Sequence, residues 1–489
     1  MGGNAFATHI PPLSTPRMPL RVYRNVLARV LDILHQHFRR AASPIEAPSK
    51  ADYGDIDVLV FSPITAAYDQ SVTPKLKVVE TLARDLGAIA WIAGTKGQAM
   101  NIAIPWPQES SPSTLTASQN NTEQQDRASE PVPVPAVKKF IQLDIHILAT
   151  SHELDWHLFH AAHGDLWSIL GSTIRPFGLT INHSGLHLRI PSIETHDRKN
   201  SLVLLTSSPT AALQFLGLDA ERWWHPFGSQ QEMFEYAAGC RLFWVKTESD
   251  FEEEQGDKEE SGVKMNSGMG MQDIGIRDQS GDRKVEKRLN TNDRQRLLKR
   301  PIFRAWIEDF VPSKRSSPSD PNRSPNPPLT RDQVRAEAFS TFGPAVQHAY
   351  TTREKAFLRA KNIDDIWQIA IKQNVPGTLD PQVRSAACRF LKGVLMDEEI
   401  LWHGEKPKAA ERDGNGFWDG EEVGAFVREN WEEAGRLGML WQREKAAEGM
   451  RAKAEEKRIA AEAMTEKMEG ERRGGERDMY ADVHPAVRG

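Results

Sequence analysis

The chain is poor in cysteine, in long apolar runs and in any surplus of positive charge, and each shortage removes a class of protein. Two cysteines in 489 residues, Cys240 and Cys388, cannot build a disulfide framework or a cysteine-rich zinc module, and they suit a reducing compartment. The longest apolar runs are about half of the ~20 residues that a membrane-spanning helix needs, and the N-terminus carries no apolar stretch ending in small residues. A soluble, intracellular protein is therefore expected. Sixty-two basic against 67 acidic side chains leave a net charge of −5, without the basic excess by which non-specific nucleic-acid binders hold phosphate backbones.

What is present is a globular composition diluted by breakers. Apolar residues make up 39% and charged residues 26%, with 34 Gly and 30 Pro, which implies a folded part interrupted by segments that cannot offset the entropy of ordering. Three such segments stand out: 108–137, rich in Ser, Thr, Asn, Gln and Pro; 248–282, an acidic cluster followed by a Gly/Met/Ser stretch; and 312–328, rich in Pro and Ser. They divide the chain into a first domain over 1–150 with 108–137 inserted, a companion helical and hairpin region over 151–246, a linker over 247–289, a helical region over 290–400, and a charged C-terminal helix and tail over 401–489. No internal repeat is evident.

Apolar spacing sets the local elements. Tyr23, Val26, Leu27, Val30, Leu31, Leu34 and Phe38 predict an amphipathic helix over 20–40. Residues 55–61 (DIDVLVF) read as a strand, 74–86 as a helix, and 89–91 and 100–104 as strands. In 140–148 (FIQLDIHIL) Ile141, Leu143, Ile145 and Ile147 alternate with Gln142, Asp144 and His146, the clearest strand pattern in the chain. Helices over 154–163 and 166–173, a hairpin at 182–185, a strand over 202–205 and helices after Ser208 and Ser229 follow. The fold class expected is α+β, a mixed sheet with flanking helices followed by an all-α region.

The chemistry candidates lie on two of these strands. Asp55 and Asp57 are two positions apart, so a strand projects both carboxylates from one face. Asp144 is a third acid on an otherwise apolar strand. Three acids converging from neighbouring strands form an oxygen-rich site suited to Mg²⁺ or Mn²⁺, and ions so held activate an attacking hydroxyl and stabilise leaving pyrophosphate. At the N-terminus, the glycines of Gly2-Gly3-Asn4 allow backbone N–H groups to approach a phosphate closely.

Together, Gly2-Gly3, then Tyr53-Gly54-Asp55-Ile56-Asp57 opening an apolar strand, then Leu143-Asp144-Ile145 on a later strand, resemble the DNA polymerase β-like nucleotidyltransferase superfamily, in particular its poly(A) polymerase-like, viral and fungal branches. The resemblance covers residues 1–150. It implies a nucleotidyltransferase-type sheet, with Gly2, Gly3 and Asn4 at the turn holding a nucleoside triphosphate and Asp55 and Asp57 binding both divalent ions. Asp144 would promote attack of an acceptor hydroxyl on the α-phosphate. The acceptor classes open to such a site are an RNA 3′ end, a protein side chain and a small molecule. A protein that keeps the fold as a non-catalytic scaffold is the alternative.

Other features carry less chemistry. Five of the fifteen histidines, His146, His152, His157, His160 and His163, fall between 146 and 163, and three of them share one side of a helix; hydrogen-bonded or solvated histidines are the expectation, zinc ligation the alternative. Basic residues gather over 283–300, where they would grip a nucleic-acid backbone or form a solvated face. Trp167, Trp223 and Trp224 are expected in a core rather than stacked on bases. Residues 421–471 predict a long helix, docked at its apolar start and charged beyond.

Overall fold

The computed structural model describes residues 3–94, 99–107, 138–244, 291–315 and 329–481. The segments 108–137 and 247–289 lie outside the described residues, as do 316–328 of the third expected linker. The start of that third linker is helical instead: Val311–Arg315, with Pro312, continues the helical run that begins at Pro301 and passes through a π-helical turn over Trp306–Phe310.

The chain runs β1 (Met18–Pro19), α1 (Leu20–His37), β2 (Phe38–Ala42), β3 (Asp52–Tyr53), β4 (Ile56–Pro63), α2 (Lys75–Asp85), β5 (Ala90–Ile92), β6 (Met100–Pro105) and β7 (Phe140–Leu148). There follow α3 (Ser151–Ala161), α4 (Leu166–Ile174), β8 (Leu179–Asn182), β9 (Gly185–Arg189), α5 (Pro191–Glu194), β10 (Leu202–Thr206), α6 (Pro209–Phe215), α7 (Ala220–Trp223) and α8 (Gln230–Ala238). Among the described residues no strand follows Thr206, so the expected change from α/β to all-α is observed. Contacts divide the chain into two compact units, 1–350 and 351–489.

In the first unit five strands form a mixed sheet in the order β2-β4-β7-β6-β5. β4 and β7 run parallel, and the other pairs are antiparallel. One face of this sheet is apolar: Ile56, Val58 and Val60 of β4, Ile102 of β6, and Ile141, Leu143 and Ile145 of β7 pack against Tyr23, Val26, Val30 and Leu34 of α1 and Val78, Val79 and Leu82 of α2. The period of two then sends Asp57, Asn101, Gln142 and Asp144 to the opposite face. α3 lies on that face at its β2 side, where Arg40 of β2 meets Ser151 and Asp155 at 2.6 Å each.

Several element boundaries differ from the periodicity. The strand expected over 55–61 runs Ile56–Pro63, which leaves Asp55 just before it. The helix expected over 20–40 stops at His37, and Phe38 turns extended (φ −131°, ψ 142°) to begin β2. Pairing of β2 with β4 outweighs a helical spacing that Phe38 would have continued. α3 begins at Ser151 rather than 154 because Thr150 caps it, its hydroxyl accepting the Glu153 N–H.

Beyond the sheet, β8, β9 and β10 form a three-stranded antiparallel sheet, and ion pairs from Arg241 to Glu337, Lys314 to Glu235 and Arg331 to Glu194 fasten the helices of 301–342 to the 151–244 region. The second unit has its own core, including Ile371, Leu391, Leu395, Trp418, Val423 and Val427. Its helix Gly420–Ala481 is docked at the start, and residues 443–465 are exposed throughout. Among the described residues no helix is long and apolar enough to cross a membrane.

Candidate functional site

The parallel register of β4 and β7 puts Asp57 opposite Asp144, and the antiparallel register of β6 and β7 puts Asn101 opposite Asp144. Three neighbouring strands thus present Asp57, Asp144 and Asn101 in one row on the polar face. Strands are about 4.8 Å apart, so the row sets two acids and an amide side by side. Asp55 stands just before β4, and its carboxylate accepts the Gly3 N–H at 3.1 Å from 52 residues away.

That bond is held by a docked N-terminal segment. Phe6 is fully buried against Ala90 and Ala103, the Ala5 N–H donates to Gln142 Oε1 at 2.9 Å, and the Thr15 hydroxyl donates to the Gly3 carbonyl. Gly3 has φ +85°, and a Cβ there would lie 2.3 Å from the Gly54 carbonyl oxygen. Only glycine fits this approach. Asn4, the next residue, is exposed, and Gly2 lies outside the described residues.

Asp144 is oriented from two sides: Asn101 Nδ2 and Gln142 Nε2 both donate to its Oδ1, at 2.6 and 2.8 Å. Gln142 is therefore a bridge, its amide nitrogen on Asp144 and its oxygen on the Ala5 N–H. Neither Asn101 nor Gln142 was expected as a site residue. The available signal was their position on the polar side of alternating strands, but a polar residue there is ordinarily a solvated one.

The electrostatics of the row are unfavourable to its charges. Asp57 opens to solvent, yet the protein around it strips enough hydration to push its carboxyl up to about 7, with Asp55, Asp144 and Glu46 adding repulsion and Lys50 opposing it. Burial likewise raises Asp144, against the lowering effect of the Asn101 and Gln142 hydrogen bonds. Among the described residues no hydrogen bond or ion pair engages the Asp57 carboxylate. Hard oxygen donors crowded on one face, one of them unpaired, fit Mg²⁺ or Mn²⁺. Among the described residues no three His, Cys, Asp or Glu side chains are gathered as they stand into a metal-holding group.

The other candidates have structural partners. His163 does not share the α3 face with His157 and His160: it lies beyond the helix at φ +59°, buried, with Nε2 2.7 Å from the Trp223 carbonyl oxygen. His152 Nε2 meets Ser207 Oγ at 2.6 Å. Burial lowers the pKa of His146, His157, His160 and His163, and His160 falls to about 4 with His157 and His183 as further causes. Of the basic run, 283–290 lies outside the described residues, and Arg300 pairs with Asp165 at 2.6 Å. Trp167 and Trp223 are core residues, whereas Trp224 is partly exposed.

Neither the models of known protein families nor the sequences of curated proteins give a match to this chain.

Proposed function

We propose that residues 1–150 form a nucleotidyltransferase-type domain that transfers a nucleoside monophosphate from a nucleoside triphosphate to a hydroxyl. The observation that carries this reading is the row of Asp57 and Asp144 on parallel strands, with Asp55 and the Gly3 turn locked to its end. A phosphoryl-transfer site needs carboxylates for a hard cation and a backbone turn for the triphosphate; the polar face carries the carboxylates, with the Gly3 turn beside them.

Asp55, Asp57 and Asp144 would hold the divalent ions, which when bound neutralise the developing charge on the phosphates. The chain's own residues have separate tasks. Asn101 and Gln142 fix the Asp144 carboxylate so that it receives the proton of the acceptor hydroxyl. The acceptor oxygen bonds to the α-phosphorus, the bond from that phosphorus to the bridging oxygen breaks, and pyrophosphate leaves. The Gly3 turn, tied to Asp55 and through Ala5 to Gln142, keeps the triphosphate side of the site aligned with the acids.

The test is incubation of the full chain with each α-labelled nucleoside triphosphate, Mg²⁺ or Mn²⁺, and a mixed pool of RNA, protein and small hydroxyl acceptors, beside the Asp55→Ala/Asp57→Ala variant. Label transferred by the wild type and not by the folded variant supports the reading and identifies the acceptor. A folded wild type that transfers no label from any nucleotide favours the scaffold instead.

A further inference from the structure

Between β2 and β3 the chain passes through residues 43–51 without regular structure, yet the segment is tied down. The Ile45 carbonyl accepts the His163 N–H at 2.6 Å, and Ala47 packs so closely on Gly164 that a Cβ there would lie 2.9 Å from the Ala47 Cβ. Pro48 is buried. Ser49 then adopts φ +59°, a left-handed conformation that a serine adopts uncommonly, and this sharp turn delivers Lys50.

Lys50 is held from two directions. Its Nζ lies 2.7 Å from Glu46 Oε2 and 4.5 Å from the centroid of the Tyr53 ring. Glu46 is itself fixed, since Tyr23 donates its hydroxyl to Oε1 at 2.8 Å, and the Tyr23 ring stacks on Tyr53 with centroids 4.0 Å apart and planes 17° apart. Tyr53 leads through Gly54 into Asp55, so the mounting is continuous with the acid row. Gly54 is also the residue against which the Gly3 turn packs, so the Lys50 seat on Tyr53 adjoins that turn.

A partly exposed ion pair contributes about 0–1 kcal/mol, which does not account for a clamped loop, a left-handed serine and an aromatic seat assembled around one ammonium. A triphosphate does account for them. It brings more negative charge than cations on three carboxylates neutralise, and an ammonium pre-positioned over Tyr53, two residues before Asp55, supplies the remainder.

We propose that Lys50 is a polyphosphate-binding residue, contacting the phosphates that leave as pyrophosphate, with Glu46, Tyr23 and Tyr53 as its positioning residues; this rests on the nucleotidyl-transfer reading above. On binding, the ammonium exchanges part of its contact with Glu46 for phosphate oxygens, without covalent change.

Calorimetric titration of the full chain tests this, with Mg²⁺ complexes of each nucleoside triphosphate, with Mg²⁺-tripolyphosphate and with the corresponding monophosphates, in wild type, Lys50→Ala, Lys50→Arg and Glu46→Gln. Lys50→Ala is expected to weaken triphosphate and tripolyphosphate binding by about tenfold to a hundredfold, to leave monophosphate affinity within about twofold, and to melt with the wild type. Lys50→Arg restores most of the loss, and Glu46→Gln moves triphosphate affinity in the same direction by a smaller factor. Lys50→Ala that binds triphosphates as tightly as the wild type overturns the assignment while leaving the transferase reading intact. Equal loss of triphosphate and monophosphate with a lowered melting temperature makes Lys50 a structural partner of Glu46 and also overturns it. A folded wild type that binds no triphosphate overturns the transferase reading and this assignment together.

Discussion

Asp57 and Asp144 face each other across the parallel pairing of β4 and β7, and among the described residues no hydrogen bond or ion pair engages the Asp57 carboxylate. An acid raised from 3.8 to about 7 keeps its proton in the folded chain where the unfolded chain has released it. Its favourable contribution to folding is therefore full below about pH 4 and lost as pH rises to about 7. A divalent cation on the ionised carboxylates opposes that loss. Added Mg²⁺ is expected to raise the melting temperature more at about pH 8 than at about pH 5.5, and Asp57→Asn to abolish the difference. Equal shifts at the two pH values in calorimetry would contradict the placement of the ion on this pair.

Gly3→Ala tests the turn. The added methyl would sit 2.3 Å from the Gly54 carbonyl oxygen at a φ of +85°, so the turn must leave Asp55. The sheet core does not depend on it, and the melting temperature is expected to change little. Nucleotide transfer should fall at least about tenfold, with faster hydrogen exchange at the Ala5 amide. Full activity with a protected Ala5 amide would show that the turn serves no part of the site.

The acids were legible because strands alternate. Asp57 and Asp144 stand on the polar side of apolar alternations, so their shared face was legible, whereas Asp55 lies just before β4 and its place beside them comes with the Gly3 bond rather than from the period of two. The partners that order them were not legible. The Gly3 to Asp55 bond spans 52 residues, and its anchor, the burial of Phe6 against Ala90 and Ala103, joins three distant segments that no local pattern relates. The end of α1 was hidden for a similar reason: Phe38 continues the helical spacing from Leu34, and only its pairing with β4 makes it a strand residue. His163 left its expected face because Gly164 follows it in a turn, and left-handed backbone at a histidine has no sequence signature.

His160 gives a slope opposite to that of Asp57. Burial, with His157 and His183 nearby, holds its pKa at about 4 rather than 6.5, so the folded chain keeps it neutral where the unfolded chain takes up a proton. Stability from this group is complete above about pH 6.5 and declines as pH falls toward about 4. In an Asp57→Asn background, which removes the opposing slope, His160→Gln should flatten the fall in melting temperature over that window. An unchanged profile would place the acid sensitivity on other groups.

Gln142 offers the sharpest separation of site from scaffold, because one buried side chain touches both Asp144 and the N-terminal turn. Gln142→Leu removes the donor to Asp144 and leaves the Ala5 N–H without its acceptor, so the turn should undock and transfer should fall about tenfold to a hundredfold. Gln142→Glu keeps an acceptor for Ala5 but replaces the Asp144 donor with a carboxylate. Its turn should stay docked, with the Ala5 amide still protected from exchange, while transfer falls through misorientation of Asp144. Combining Gln142→Leu with Gly3→Ala should cost less than the sum of the two, by a coupling of about 0.5–3 kcal/mol, since both act through the same undocking. Additive losses in the double variant would mean that Gln142 serves Asp144 alone, and that the turn reaches the site only through Asp55.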